Sequence, residues 1–136
     1  MTDQDSEERA AGAEEEILAP EQILDRFEGP WYPAVYCGSG WFPLIERIDA
    51  YIVASYPSYR IEQIKEKYGG LRYYWEPDSD AGIANKSEKE ISKLAAVRDG
   101  VVRIESEAMD ICEICGQPGE NDSTNGWYAT RCPEHR

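Results

Sequence analysis

Histidine occurs once in this 136-residue chain, phenylalanine twice and methionine twice. A single histidine cannot serve both as a metal ligand and as a catalytic base. No apolar stretch is long enough to span a bilayer, which excludes a membrane helix. No basic start leads into a continuous apolar stretch, so no secretory signal is expected. Basic residues are also scarce, with 14 Lys and Arg against 27 Asp and Glu and a net charge of -13. A field of that sign opposes nucleic acid at long range. No nucleotide-binding glycine loop is present. These absences point to a cytoplasmic protein whose four cysteines stay reduced.

The acidity is uneven. Residues 1–28 hold ten carboxylates and two arginines, a net of -8, whereas the remaining residues carry -5. "MTDQDSEERAAGAEEE" has too few large side chains to offset the entropy of ordering it, so residues 1–19 are expected to be an acidic, disordered tail. Such a block is a solubilising end or an arm that docks on a basic partner. The remainder fits one domain, α+β in class: a core over residues 20–110 and a lobe over 111–136 packed on it.

"APEQILDRFEGP" predicts a short helix with Pro20 early in it and Gly29-Pro30 stopping it. Residues 30–45 carry no charge, three prolines and two glycines, which predicts a loop with Trp31, Tyr36 and Trp41 packed down. Within it "CGSGW" falls short of a cysteine-protease signature, because glycine stands at the nucleophile's position. Cys37 therefore reads as a small apolar residue. In "WFPLIERIDAYIVAS", Leu44, Ile45, Ile48, Tyr51 and Ile52 fall at helical spacing, with Glu46, Arg47 and Asp49 turned away.

"YRIEQIKEKY" and "LRYYWE" predict two strands joined by Gly69-Gly70, a pair suited to a tight hairpin. That turn sets Ile64, Glu66 and Tyr68 with Leu71, Tyr73 and Trp75 on one face. The other face collects Lys65, Lys67, Arg72 and Tyr74, with Lys65 opposite Tyr74. Three cations around a ring suit a phosphate backbone or an acidic protein surface, and equally a solvated sheet face. Glu66, on the apolar face, needs a partner such as Arg47.

Residues 77–85 read as a loop. From Lys86 a long helix is expected, with Leu94, Val97, Val101, Ile104, Ala108 and Ile111 on one stripe and Gly100 marking a kink. The helix runs into Cys112-x2-Cys115, sixteen residues, then Cys132-x2-His135. Each pair forms a tight knuckle, Gly116 supplying a positive φ after the first. "ENDSTNG" reads as a turn and "WYATR" as a strand that returns the second pair onto the first. Four protein ligands fill a tetrahedron, so the expected cofactor is a structural Zn2+ held by Cys112, Cys115, Cys132 and His135.

"GWFPLIERIDAYI", "QIKEKYGGLRYYWE" and the terminal "CEICG" with "GWYATRCPEH" together resemble a family of small uncharacterised proteins of bacteria and their phages or prophages. The likeness covers most of residues 40–136. It implies a bacterial or phage setting and no mechanism. The sequence thus points to a non-enzymatic zinc-binding accessory protein acting in phage–host interplay. A protein partner would be met by Lys65, Lys67, Arg72 and Tyr74. A nucleic-acid-binding zinc module, with Arg131 and Arg136 near the metal, is the alternative, and an enzyme of unknown type the third reading.

Overall fold

The computed structural model describes residues 19–28, 33–77, 87–123 and 126–136. The expected acidic tail, Trp31, the Gly29-Pro30 stop and the loop after Pro77 lie outside them. The chain is α+β as its patterning implies. The elements are α1 (Glu21–Leu24), β1 (Val35–Tyr36), α2 (Phe42–Val53), β2 (Arg60–Lys67), β3 (Gly70–Glu76), α3 (Glu88–Ser106), β4 (Glu120–Asp122) and β5 (Ala129–Arg131). Short 3-10 turns cover Ser39–Trp41, Glu107–Asp110 and Pro133–His135.

A three-stranded sheet in the order β1-β2-β3 forms the platform, β1 parallel to β2 and β2 antiparallel to β3. Its inner row, Val35, Ile64 and Tyr73, is buried, each at 4% exposure or less. Onto this face α2 lays Leu44, Ile45, Ile48 and Ile52, and α3 lays Leu94, Val97 and Val101. Ser87 caps α3 in a reciprocal capping box with Glu90, which explains the sharp start after Lys86. The helix ends at Ser106, short of the expected stripe's end, and a 3-10 turn carries the chain to Ile111.

Helix α3 runs unbroken through Gly100. Gly100 is buried, and a Cβ there would lie 2.1 Å from the Tyr51 hydroxyl, so the glycine leaves room for the end of the Tyr51 side chain of α2. The free edge of β3 is covered by α3: the Glu105 carboxylate accepts from the Tyr73 amide at 2.7 Å, and Arg98 donates to the Trp75 carbonyl. An edge so blocked offers little template for strand addition. Burial pushes the Glu105 carboxyl above its ordinary value, although the Tyr73 amide and the charge of Arg72 both oppose the rise.

Three expectations for the core need correction. Asp49 is buried, not turned to solvent, because Arg26 and the Tyr59 hydroxyl both donate to it. That pairing fastens the α1 segment to α2, and a buried carboxylate requires such partners. Burial, with Tyr73 and Asp49 alongside, pushes the Tyr59 hydroxyl far above its ordinary value. Glu66 does not meet Arg47; it accepts from the Gly69 amide at 2.7 Å, while Arg47 pairs with Glu107. Residues 33–36 are no loop with Tyr36 packed down, since Val35 faces the core and Tyr36, on β1, faces solvent.

Candidate metal centre and outer sheet face

Two knuckles build the candidate metal centre. In the first, the Gly116 amide donates to the Cys112 carbonyl at 2.9 Å and Gly116 has φ +83°, as expected of the residue that closes such a turn. In the second, Cys132 precedes the 3-10 turn Pro133–His135, and the His135 amide donates to the Cys132 carbonyl. The hairpin β4–β5 returns the second knuckle to the first, with Glu120 opposite Arg131 and Asp122 opposite Ala129. "ENDSTNG" is thus not all turn, because its first three residues are β4.

Cys112, Cys115, Cys132 and His135 converge, with all four ligand atoms within 4.8 Å of one another, and could hold a metal ion. The Cys115 and Cys132 sulfurs are 3.7 Å apart, and His135 Nδ1 lies 3.6 Å from the Cys112 sulfur and 3.2 Å from that of Cys132. Ligands at about 2.0–2.3 Å around a small tetrahedral ion are separated by about 3.5–3.8 Å, so the donor set fits one. Burial works against the Cys112 thiolate, but the amides of Cys132, Cys115 and Ile114 outweigh it and lower the thiol to about 6. The Cys115 thiol is raised: the Gln117 amide favours its thiolate, but desolvation and the Cys132 and Cys112 sulfurs outweigh that help. A cation at the centre reconciles sulfurs that otherwise repel one another.

The core holds this lobe through contacts that sequence reasoning did not anticipate. The Gly38 amide donates to the Glu113 carboxylate, the Gly40 amide to the Glu113 carbonyl, and the Trp41 indole to the Ile111 carbonyl at 2.9 Å. A Cβ on Gly40 would sit 2.3 Å from the Cys112 carbonyl, so only glycine fits beneath the knuckle. The small residues of "CGSGW" were the available signal. Cys37 beside them is no nucleophile, because burial, with Glu113 and Glu66 adding to it, pushes its thiol up to about 12.

The hairpin turn is Tyr68-Gly69, not Gly69-Gly70, with φ +56° and +80° at the two positions. The lobe selects that turn: Thr130 donates to the Gly69 carbonyl at 2.6 Å and Asn121 to the Tyr68 carbonyl at 3.2 Å. Pairing moves by two positions, so Lys65 lies opposite Arg72 and Gln63 opposite Tyr74, but the two faces keep the residues expected of them. Tyr68, at the turn, is exposed. An irregularity between Ile61 and Gln63 then swings Ile61 inward opposite Trp75.

The outer face therefore shows the row Tyr36, Lys65, Arg72 across three strands, with Tyr74 beside Gln63 in the next row. Tyr36 is 53% exposed and Tyr74 40%. The Lys65 ammonium sits 5.9 Å from the Tyr74 ring and that of Lys67 5.7 Å from the Tyr68 ring. Among the described residues none of Lys65, Lys67 and Arg72 forms an ion pair, whereas Arg26, Arg47, Arg60, Arg98, Arg131 and Arg136 all do. A groove of about 820 Å³ adjoins the row, lined by Phe27, Ile61, Gln63, Lys65 and Tyr74 among others.

No helix among the described residues is long and apolar enough to cross a membrane. No family model, curated protein or solved structure matches the chain.

Proposed function

We propose that this is a non-enzymatic, zinc-binding accessory protein of the cytoplasm that docks an acidic protein partner on the outer face of its sheet. The observation that carries the reading is the row of Lys65 and Arg72, with Lys67 near it, which form no ion pair among the described residues of a chain of net charge -13. Tyr36 and Tyr74 add exposed ring surface beside these cations, as docking faces commonly do.

Zinc is the metal that suits three thiols and an imidazole in a tetrahedral, zinc-ribbon-like lobe. With every position taken by protein, it would organise the fold and leave no site for a reacting water. The use of the only histidine there, and a protonated Cys37, favour binding over catalysis. The resemblance to small bacterial and phage proteins suggests that the partner belongs to phage–host interplay. A nucleic-acid reading draws less support, because Arg131 and Arg136 near the metal are spent on Glu113 and Glu120.

The test is retention of lysate material on the zinc-loaded protein and on its Lys65→Glu, Lys67→Glu, Arg72→Glu variant, with and without nuclease. Protein retained through nuclease by the natural chain and lost by the variant is the expected result. Nucleic acid retained and then lost would transfer the face to phosphate binding, with a steep salt dependence. Equal recovery by both chains would reduce the row to a solvated sheet surface.

A further inference from the structure

The complement of the outer sheet face is written in the same chain. We infer that residues 1–18 are its intramolecular occupant, an acidic arm that lies against Lys65, Lys67 and Arg72 and is displaced when an acidic partner binds. The inference rests on the docking reading above and adds its regulation.

Charge is the first argument. Residues 1–18 hold seven carboxylates against Arg9, a net of -6. Half of the twelve cations among the described residues, six arginines, are already paired with carboxylates. Of the rest, Lys89, Lys93 and Arg103 lie spaced along α3. Lys65, Lys67 and Arg72 stand together on one face, with Lys65 directly opposite Arg72. The Glu105 carboxylate, on which the charge of Arg72 acts, is committed to the Tyr73 amide.

Reach is the second argument. The described chain begins at Ala19 and leads through α1 to Arg26, whose carbonyl accepts from the Ile61 amide at 2.9 Å. Phe27 bridges Ile61 on the same edge of β2 that Tyr36 occupies farther along. Lys65 lies four residues along β2 from Ile61, about 13 Å at strand spacing. Eighteen residues span at most about 60 Å when fully extended, so chain length does not keep the arm from the row. Tethered so closely, the arm is present at an effective concentration on the order of millimolar, so even a weak electrostatic contact is substantially occupied.

The consequence is competition. An acidic ligand meets a face that is free only for a fraction of the time, and its apparent affinity falls by that fraction. A partner that also covers Tyr36 and Tyr74 gains contacts that the arm, poor in large apolar side chains, does not make.

The test compares the full natural chain with a full chain whose arm is neutralised by Asp3→Asn, Asp5→Asn, Glu7→Gln, Glu8→Gln, Glu14→Gln, Glu15→Gln and Glu16→Gln, both loaded with zinc. The probe is a fluorescein-labelled peptide of ten glutamates. At low salt the neutralised chain should bind it about five- to tenfold more tightly. The gap should close in about 0.5 M salt, where the Debye length is only a few ångströms. In amide NMR spectra, neutralisation should move the Tyr36, Lys65 and Arg72 signals and leave Lys93 in place. Equal affinity for both chains, with Lys65→Glu, Lys67→Glu, Arg72→Glu abolishing it, would overturn the arm as occupant and leave the docking face standing. No binding by either chain would overturn both.

Discussion

The β2–β3 hairpin pairs seven positions and turns Ile61, Ile64, Leu71, Tyr73 and Trp75 into the core, whereas β4–β5 pairs three and buries only the side chain of Thr130. Both are antiparallel hairpins in one small protein. The first has an apolar face for two helices to cover, and burial of that face stabilises it at roughly 25 cal/mol per Å². The second exposes Trp127, Tyr128 and Ile114 and has no comparable face. What converges beneath it instead is four side-chain atoms that could hold a metal ion. Isolated hairpins of that length are marginal in water, so the second depends on the centre in a way that the first does not.

The largest effect should therefore come from removing the metal. Chelation of the zinc-loaded protein, or Cys132→Ser, should abolish hydrogen-exchange protection at Thr130 and Asp122 while the amides of Ile64 and Ile48 stay protected, because binding free energy at such centres is folding free energy. Loss of protection throughout the chain would erase the distinction between the hairpins. The converse substitution is Ile64→Ala, in the middle of the inner row and fully buried. A deleted core isoleucine costs about 2–5 kcal/mol, to be read from urea unfolding of the metal-loaded protein.

The regions also differ in how plainly they were written. Both knuckles were legible because a metal demands ligands at fixed spacing, and the helix stripes because burial demands period. The sheet faces were legible because side chains alternate whatever the turn does. The turn was not, since Gly69-Gly70 and Tyr68-Gly69 both satisfy the local rule, and the deciding hydrogen bonds come from Asn121 and Thr130, more than fifty residues away. Asp49 was misplaced for the same reason: periodicity sets it near the stripe's edge, and only Arg26 and Tyr59, on other elements, make its burial tolerable. Tyr36 was expected to pack down rather than face solvent because a two-residue strand is too short to show alternation.

Those long-range hydrogen bonds couple the two hairpins, and Thr130→Val measures the coupling. The substitution keeps the shape and deletes the hydroxyl that donates to the Gly69 carbonyl and accepts from Asn121. Leaving buried polar groups unpaired costs about 1–3 kcal/mol. Its signature would be altered NMR signals at Tyr68 and Lys67, on the other hairpin. A change confined to β4 and β5 would show that the lobe does not hold the turn.

A smaller effect of variable sign is expected at Gly100 beneath the first hairpin's helices. Alanine favours a helix by about 1 kcal/mol over glycine. Here its methyl would strike the Tyr51 ring, with Cζ only 2.3 Å from the new Cβ. Overpacking of a tight core costs about 1–3 kcal/mol, but the struck atoms end a side chain that is 38% exposed, so Gly100→Ala should only mildly destabilise the natural chain. In a Tyr51→Ala background the same substitution should stabilise. No reversal between the two backgrounds would mean that Gly100 is not a notch for Tyr51.

Neither hairpin includes the ion pair of Arg47 with Glu107, which sets the floor of the comparison. Two hydrogen bonds of 2.7 and 2.9 Å join the side chains, both largely exposed. The Arg47 hydrogen bond, followed by its charge, holds the Glu107 carboxyl below the ordinary value of 4.5. A carboxyl depressed in the folded state contributes stability above its unfolded pKa and loses it as pH falls through the folded value. Screening by water limits the pair to about 0.2–1 kcal/mol. Glu107→Gln should thus lower stability by that amount at pH 7 and by nothing measurable at pH 3, with added salt shrinking the difference at pH 7. A larger loss at pH 7 that survives high salt would make this exposed pair a true clasp between α2 and the turn that leads into the metal lobe, and would tie the lobe to the core by more than its buried contacts.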